Sequence, residues 1–348
     1  MAKNCQILSK KIIIAAIALG ILLLALTAWR AWQMVGQNNL KPDQGKICLK
    51  VYPGDSFENV TAQLQPYLQR PGDFKTLARL RHLDRHIRTG YYELGPEASN
   101  RSLLAVLTQG LQKPVKLQFN NVRTLPQLAG ILSHQIMLDS AQIMAALTDS
   151  VFLQRNALSL ETLPALFLPD TYEVWWNMSP ERLCQLFERT WHEFWTERRL
   201  QAAQAQGLSP IEVSIIASIV EEETNAKDEW PIVAGIYLNR LRRGMYLQAC
   251  PTVKFALQDF SIKRVLKEHT EVNSPYNTYQ HLGLPPGPVR IPSKAALEAV
   301  LAAPHHNYLY MCAKDDFSGH HYFSTNLRQH NAYAQRYHQA LNKNRIYR

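Results

Sequence analysis

The sequence has no glycine-rich phosphate loop, no CxxC pair, no zinc-ligand spacing and no dense lysine–arginine tract. The missing loop argues against a nucleotide cofactor, and no metal site emerges from the spacing of His, Cys, Asp and Glu. With no basic tract and no recognisable nucleic-acid module, a net charge of +10 points away from nucleic acid and toward an anionic membrane face or an acidic polymer. Cysteine is scarce. Cys48, Cys184, Cys250 and Cys312 are widely spaced, Cys5 stands apart near the N-terminus, and spacing assigns no disulfide. Internal repeats and low-complexity segments are absent. A chain of 348 residues, 46% hydrophobic and 19% charged, suits a globular protein of two or so domains.

One run departs from that average. Ile12 to Trp29, IIIAAIALGILLLALTAW, carries no charge and is just long enough to cross a bilayer. Lys3, Lys10 and Lys11 precede it and Arg30 follows, so the positive-inside rule favours a cytoplasmic N-terminus. A cleaved signal peptide is the competing reading. Its apolar core is normally shorter, and LTAWRAW is a poor cleavage site. The expectation is an uncleaved anchor at residues 12–30, a cytoplasmic N-terminus at 1–11, and everything beyond outside the cytoplasm.

QNNLKPDQGK (Gln37 to Lys46) is polar and breaker-rich, and residues 31–45 read as a linker. KICLKVY alternates like a strand, PGDS turns the chain into the helix-like FENVTAQLQPYL, and RTGYYEL reads as a second strand. SNRSLLAVLTQG follows as a capped helix closed by Gly110. Residues 46–112 thus form a small α+β module, and residues 113–348 a larger mixed α/β domain. In the latter, FLPDTYEVWW places an aromatic strand among helices, and RLCQLFERTWHEFWTERRLQAAQAQ reads as one amphipathic helix. SPYNTYQHLGLPPGPVRIPS cannot be helical, because five prolines punctuate it. Rich in Tyr, Asn and Thr, it is either a binding surface or an ordinary structural loop.

The segment IIASIVEEET sets Glu221, Glu222 and Glu223 against the end of a greasy run. SPIE opens this helix, with Ser209 as cap, Pro210 at the first position and Glu212 completing a capping box. Helical geometry puts Glu221 under Ala217 and Ser218, a strip of small residues that leaves space for a ligand. Glu223 lies under Ile219 and Val220, partly buried, and Glu222 is expected to face solvent. An exposed helix end explains such a charge pattern as readily as a catalytic carboxylate does, and spacing does not choose among the three.

ASIVEEET, VAGIYLNRLRRGMYLQ and PTV, together with LPDTY, YNTY, GLPPGPV and HYFSTNLRQHN, resemble the YceG-like family, the endolytic murein transglycosylases. The resemblance covers nearly all of the chain after the apolar run and keeps the order of the motifs. It implies Glu221 as the catalytic acid and a LysM-like glycan-contact role for the small module. Two departures stand out: Ala249 and Cys250 replace the usual Thr/Ser-Asp before PTV, and FNNVRT (Phe119 to Thr124) replaces a PEG-like turn.

The resemblance further implies cleavage of the MurNAc-β-1,4-GlcNAc bond within glycan strands, leaving 1,6-anhydro ends. The implied partners are peptidoglycan, the bacterial inner membrane and cell-wall synthases, and no cofactor is implied. Glu221 would protonate the leaving oxygen and then deprotonate the sugar's own C6 hydroxyl, a tethered nucleophile with a large effective concentration. An apolar helix wall would keep the carboxyl protonated. Gln248, Thr252, Tyr276, Asn277 and Thr278 are candidates for hydrogen bonds to sugar groups, and Glu223 either supports the site or is a paired structural acid. His321 and Asn331 share a motif without an evident role, the pairs His305–His306 and His320–His321 only weakly suggest metal, and Trp175 and Trp176 either stack on sugars or sit in the core. The rival readings are a catalytically silent, membrane-tethered glycan-binding scaffold and a hydrolytic muramidase, which would need a second placed carboxylate.

Overall fold

A computed structural model describes residues 2–41, 43 and 45–344. Met1, Pro42 and Gln44 and residues 345–348 lie outside the described set, as do the side chains of residues 1–9, Lys3 and Cys5 among them. The described chain is α+β and divides into two compact units, Met1–Val115 with Glu173–Asn177, and Lys116–Tyr172 with Met178–Arg348.

The first unit begins with α1 (Ala2–Val35). It contains one candidate span, Lys10–Val35, with a mean hydropathy of 2.7 and none of its most apolar stretch buried. The uncharged stretch Ile12–Trp29 is roughly 27 Å long at ~1.5 Å per residue, close to the thickness of a bilayer's hydrocarbon. This helix is long and apolar enough to span a membrane. Then follow β1 (Ile47–Val51), α2 (Phe57–Leu64), α3 (Pro71–Leu80), β2 (Gly90–Leu94) and α4 (Asn100–Gln109). β1 and β2 pair antiparallel, with Ile47 opposite Leu94 and Leu49 opposite Tyr92. Alternation along β1 turns Ile47, Leu49 and Val51 inward, where they meet Phe57, Phe74, Leu77 and Leu103. The expected caps are present: the Ser56 and Ser99 hydroxyls accept from Asn59 N–H and Ser102 N–H, and Gly110 closes α4 at φ 70°.

The stretch 31–45 does not behave as a linker where it is described. The helix runs on to Val35, and Asn39 and Leu40 are fully buried. Asn39 Nδ2 donates to Asn100 Oδ1 at 2.6 Å, while Asn39 Oδ1 accepts from Arg70 N–H at 2.7 Å. Residues that look like loop composition are here amides satisfying buried backbone, an alternative use of the same chemistry.

The chain leaves this unit within β3 (Val115–Gln118) and comes back to it within β4 (Thr171–Val174), the strand to which β3 is bonded. Of the two tryptophans that follow β4, Trp176 is core, edge-on to Tyr52 at 5.0 Å, and Trp175 is exposed. The second unit is mainly helical. It comprises α5 (Leu125–Ser133), α6 (Ser140–Leu147), α7 (Ser150–Arg155), α8 (Pro180–Phe194), α9 (Glu197–Ala205), α10 (Pro210–Glu223), α11 (Trp230–Arg242), α12 (Cys250–Leu257) and α13 (Lys294–Leu301). The ribbon of β5 (Tyr310–Ala313) with β6 (His321–Ser324) and the closing α14 (Leu327–Lys343) complete it. The long helix expected between residues 182 and 206 is broken into α8 and α9. Trp195 leaves helical geometry to enter the core, and Arg199 donates to the freed Phe194 carbonyl at 2.7 Å.

α10 is the axis of this unit. Ser209 and Glu212 form the reciprocal capping box, and Val213 to Val220 are buried without interruption, packed among α11, α13 and α9. Its strip of small side chains is not an open notch. Ser218 Oγ accepts from Val289 N–H at 3.0 Å, so the proline-rich loop is seated there and fills the space expected for a ligand. The loop runs so close to its neighbours that a Cβ on Gly287 would meet the Glu161 carbonyl oxygen at 1.9 Å.

Candidate active site

The three glutamates at the end of α10 have three different environments. Glu221 Oε2 accepts from the backbone N–H of Ser293 at 2.7 Å, where Ser293 caps α13. Arg290 Nη2 stands 3.7 Å from Oε1. Glu221 lines a cavity of about 310 Å³ with Asn120, Asn121, Lys227, Trp230 and Arg290. The wall around this carboxyl is mixed: Pro169, Trp230 and Ile291 give it apolar surface, and Lys227, Arg290 and the asparagines add polar and cationic groups. Glu221 is the one acidic side chain that lines the cavity among the described residues.

Glu222 does not face solvent. Arg123 grips it in a fork, Nε to Oε1 at 3.0 Å and Nη2 to Oε2 at 2.9 Å, and Arg290 Nη1 donates to Oε1 at 2.8 Å. Arg290, only 8% exposed, also donates to Asn121 Oδ1 at 2.9 Å. The two arginines were not foreseen, although both lie in segments singled out by sequence: Arg123 and Asn121 in FNNVRT, Arg290 just after GLPPGPV. Their partners are 68 to 169 positions away in the chain, beyond the reach of spacing.

Glu223 is directed elsewhere. Its Oε2 is buried without a hydrogen-bond partner, and burial pushes its pKa up to about 7, partly offset by the nearby Tyr237 hydroxyl. Cys250 shares this niche, with Sγ 3.4 Å from Tyr279 Oη, and burial followed by the charge of Glu223 raises its thiol. A cysteine at this position places no second carboxylate beside Glu223.

None of the other sequence candidates lines the Glu221 cavity. Thr252 and Thr278 are buried and share a hydrogen bond of 2.9 Å between their hydroxyls. Asn277 donates to the carbonyls of Thr270 and Val272 at 2.9 and 2.8 Å, shaping its own loop. Gln248 is exposed at φ 49°, held by Arg240 Nη1 at 3.5 Å. Tyr276 is half-buried against Phe255. His321 donates its backbone N–H to buried Glu229 at 2.8 Å and keeps Nδ1 within 2.8 Å of the same carboxylate. That contact ties the β5–β6 ribbon to the turn carrying Asn225 and Lys227. His320 faces Asp228, His306 packs on Gly235, and Asn331 is exposed on α14. A larger cavity of about 560 Å³ lies beside α6, α7 and α8; there Asp149 caps α7, Arg155 pairs with Glu188, and Glu181 stands exposed in the first turn of α8.

A single carboxylate with one oxygen held by a backbone N–H, in a cleft that also carries amides and cations, has the groups that acid–base chemistry uses. The sequence profile of the YceG-like family matches residues 49–336, and the chain belongs to that family. A Bacillus subtilis protein named endolytic murein transglycosylase is 26% identical over 268 residues, covering 72% of this chain and 73% of the relative. A Streptococcus pneumoniae protein of the same name is 29% identical over 275 residues, 70% of this chain; the aligned part is 49% of that longer relative. A crystal structure of a yceG-like protein from Listeria monocytogenes superposes with a TM-score of 0.55 at 25% identity, covering 82% of this chain and 98% of that one.

Two substitutions test these assignments. Glu222→Gln removes the charge that neutralises two arginines, one of them nearly buried, and should lower unfolding stability by about 1–3 kcal/mol. Denaturant unfolding unchanged within about 0.5 kcal/mol would contradict that role. Burial raises the pKa of Glu223 to about 7 in the folded state, against 4.5 for a free carboxyl. Between those values the folded chain holds the extra proton, so stability falls as pH rises through this window, by on the order of 3 kcal/mol. Glu223→Gln should flatten that fall, stabilising the protein at pH 8 relative to wild type. Parallel stability curves for the two proteins from pH 4.5 to 8 would rule this out.

Proposed function

We propose that this chain is a membrane-anchored lytic transglycosylase that cuts peptidoglycan strands internally, at the MurNAc-β-1,4-GlcNAc bond, leaving 1,6-anhydroMurNAc ends. The observation that carries the reading is Glu221, the lone acid among the described residues lining its cleft, in a chain whose curated relatives are named endolytic murein transglycosylases. Glu221 gives a proton to the glycosidic oxygen and takes one back from the C6 hydroxyl of the same sugar. Ser293 N–H fixes one carboxylate oxygen and leaves the other for the proton transfers. Because the nucleophile is tethered, no enzyme carboxylate has to activate water.

The geometry favours this over a hydrolytic muramidase. Hydrolysis commonly uses two carboxyl groups flanking the bond. Here Glu222 is locked by two arginines and Glu223 does not line the cavity, its Oε2 being buried elsewhere, so neither is free to serve as the second. In the first unit the order strand, helix, helix, strand supports the LysM-like, glycan-contacting reading of residues 46–112. Gln248 and Tyr276 keep surface for substrate contact, whereas Thr252, Asn277 and Thr278 act by holding the loop in shape. Anchoring by α1 places the enzyme on the bacterial inner membrane with its catalytic unit outside the cytoplasm, beside nascent strands and the synthases that extend them.

Glu221→Gln should reduce strand cleavage by roughly 100-fold or more while leaving the unfolding curve in place. Digests of purified peptidoglycan by the wild-type enzyme should contain glycan ends one water lighter than hydrolysed ends. Unshifted ends would favour the muramidase. Cleavage by Glu221→Gln at the wild-type rate, or no cleavage by either protein, would defeat the catalytic assignment, the latter in favour of the silent scaffold.

A further inference from the structure

The end of α1 is fastened directly to the first unit. Arg30 Nη1 and Nη2 reach both oxygens of Asp73 in the first turn of α3, at 3.1 and 2.9 Å, and Arg70 joins the same carboxylate at 3.3 Å. Asn100 Nδ2 donates to the Met34 carbonyl at 2.8 Å, and Met34 and Val35 pack against the unit's core. Arg30 is the first residue past the uncharged run, and Trp29 and Trp32 stand exposed at that level, where indoles favour the boundary between hydrocarbon and water. α3 therefore begins at headgroup level if α1 spans the bilayer. Its ten residues extend only about 15 Å.

The surface that follows is strongly cationic. Residues 75–88, KTLARLRHLDRHIR, contain Lys75, Arg79, Arg81, Arg85 and Arg88 against one acid, Asp84. All four arginines are exposed. The ion pairs of this unit, on Asp73 and Glu93, leave these five cations without a carboxylate among the described residues. α3 buries Phe74, Leu77 and Ala78 inward, yet Leu80 beside the arginines is 66% exposed. An apolar side chain ringed by unpaired arginines, next to the exit of a membrane helix, fits a bilayer surface better than water.

We infer that the segment Lys75–Arg88 lies on the membrane and binds anionic lipid headgroups, holding the first unit flat against the bilayer that α1 spans. The inference rests on the anchor reading of α1. Phosphate groups of the lipid meet the arginines, and Leu80 enters the interfacial layer. The unit then has two points of attachment to the bilayer, the rigidly fastened α1 and the cationic segment, which together set its orientation to the membrane.

The test is hydrogen–deuterium exchange of the full chain in nanodiscs of phosphatidylcholine alone or of an equimolar mixture with phosphatidylglycerol. Amides of residues 79–88 should exchange about tenfold more slowly in the anionic discs, and ~1 M salt should remove the difference. The triple variant Arg79→Glu/Arg81→Glu/Arg85→Glu should show no lipid dependence, while unaltered exchange in β1 reports an intact fold. Equal exchange of wild type in both discs would overturn the inference and leave the anchor standing. A chain that fails to co-purify with discs would overturn the anchor reading and the inference together.

Discussion

The guanidinium of Arg290 is the interaction on which the candidate site depends. From a nearly buried position it donates to Glu222 and Asn121 and stands beside Glu221, and so joins the end of α10, the turn after β3 and the proline-rich loop. Those segments are far apart in sequence, and without it Asn121 Oδ1 would lose its partner and Glu222 would keep only the Arg123 fork. Two residues beyond Ile291, Ser293 adds its backbone N–H to Glu221. The proline-rich loop is thus not a lid over a preformed helix end. It is one wall of the site, seated on Ser218 and held by charge.

This arrangement gives three adjacent glutamates three different roles. Glu222 neutralises arginines, Glu223 sits in a niche that favours its protonated form, and Glu221 faces the cleft. A helix of 3.6 residues per turn sends successive side chains about 100° apart, so one short run can serve a cavity, an ion-pair network and a core at once. Cys250 belongs with Glu223, not with Glu221, and lies near that acid without lining the cavity.

Much of the local structure was legible because it is set by neighbours in sequence. The capping box at Ser209–Glu212, the αL closure at Gly110 and the exclusion of helix from the proline-rich loop all follow from short-range chemistry. Resemblance singled out Glu221, where spacing left three glutamates equal. What escaped reading was long-range. The fork of Arg123 on Glu222 spans 99 positions, so Glu222 looked solvent-facing. Asn39 and Leu40 looked like linker because composition cannot distinguish an amide bonded to water from one bonded to Asn100. The small strip on α10 looked like room for a ligand, and the chain itself fills it. The break after Phe194 was hidden because Trp195 suits an amphipathic helix as well as a core.

The most direct test of the account is a crystal structure of Glu221→Gln with a bound murein tetrasaccharide. The account predicts the scissile glycosidic oxygen within hydrogen-bonding distance of the side chain at 221, with Ser293 N–H still holding that side chain and Arg290 still on Glu222. A glycan seated with its scissile oxygen next to Glu222 or Glu223, or bound away from the α10 terminus altogether, would contradict it.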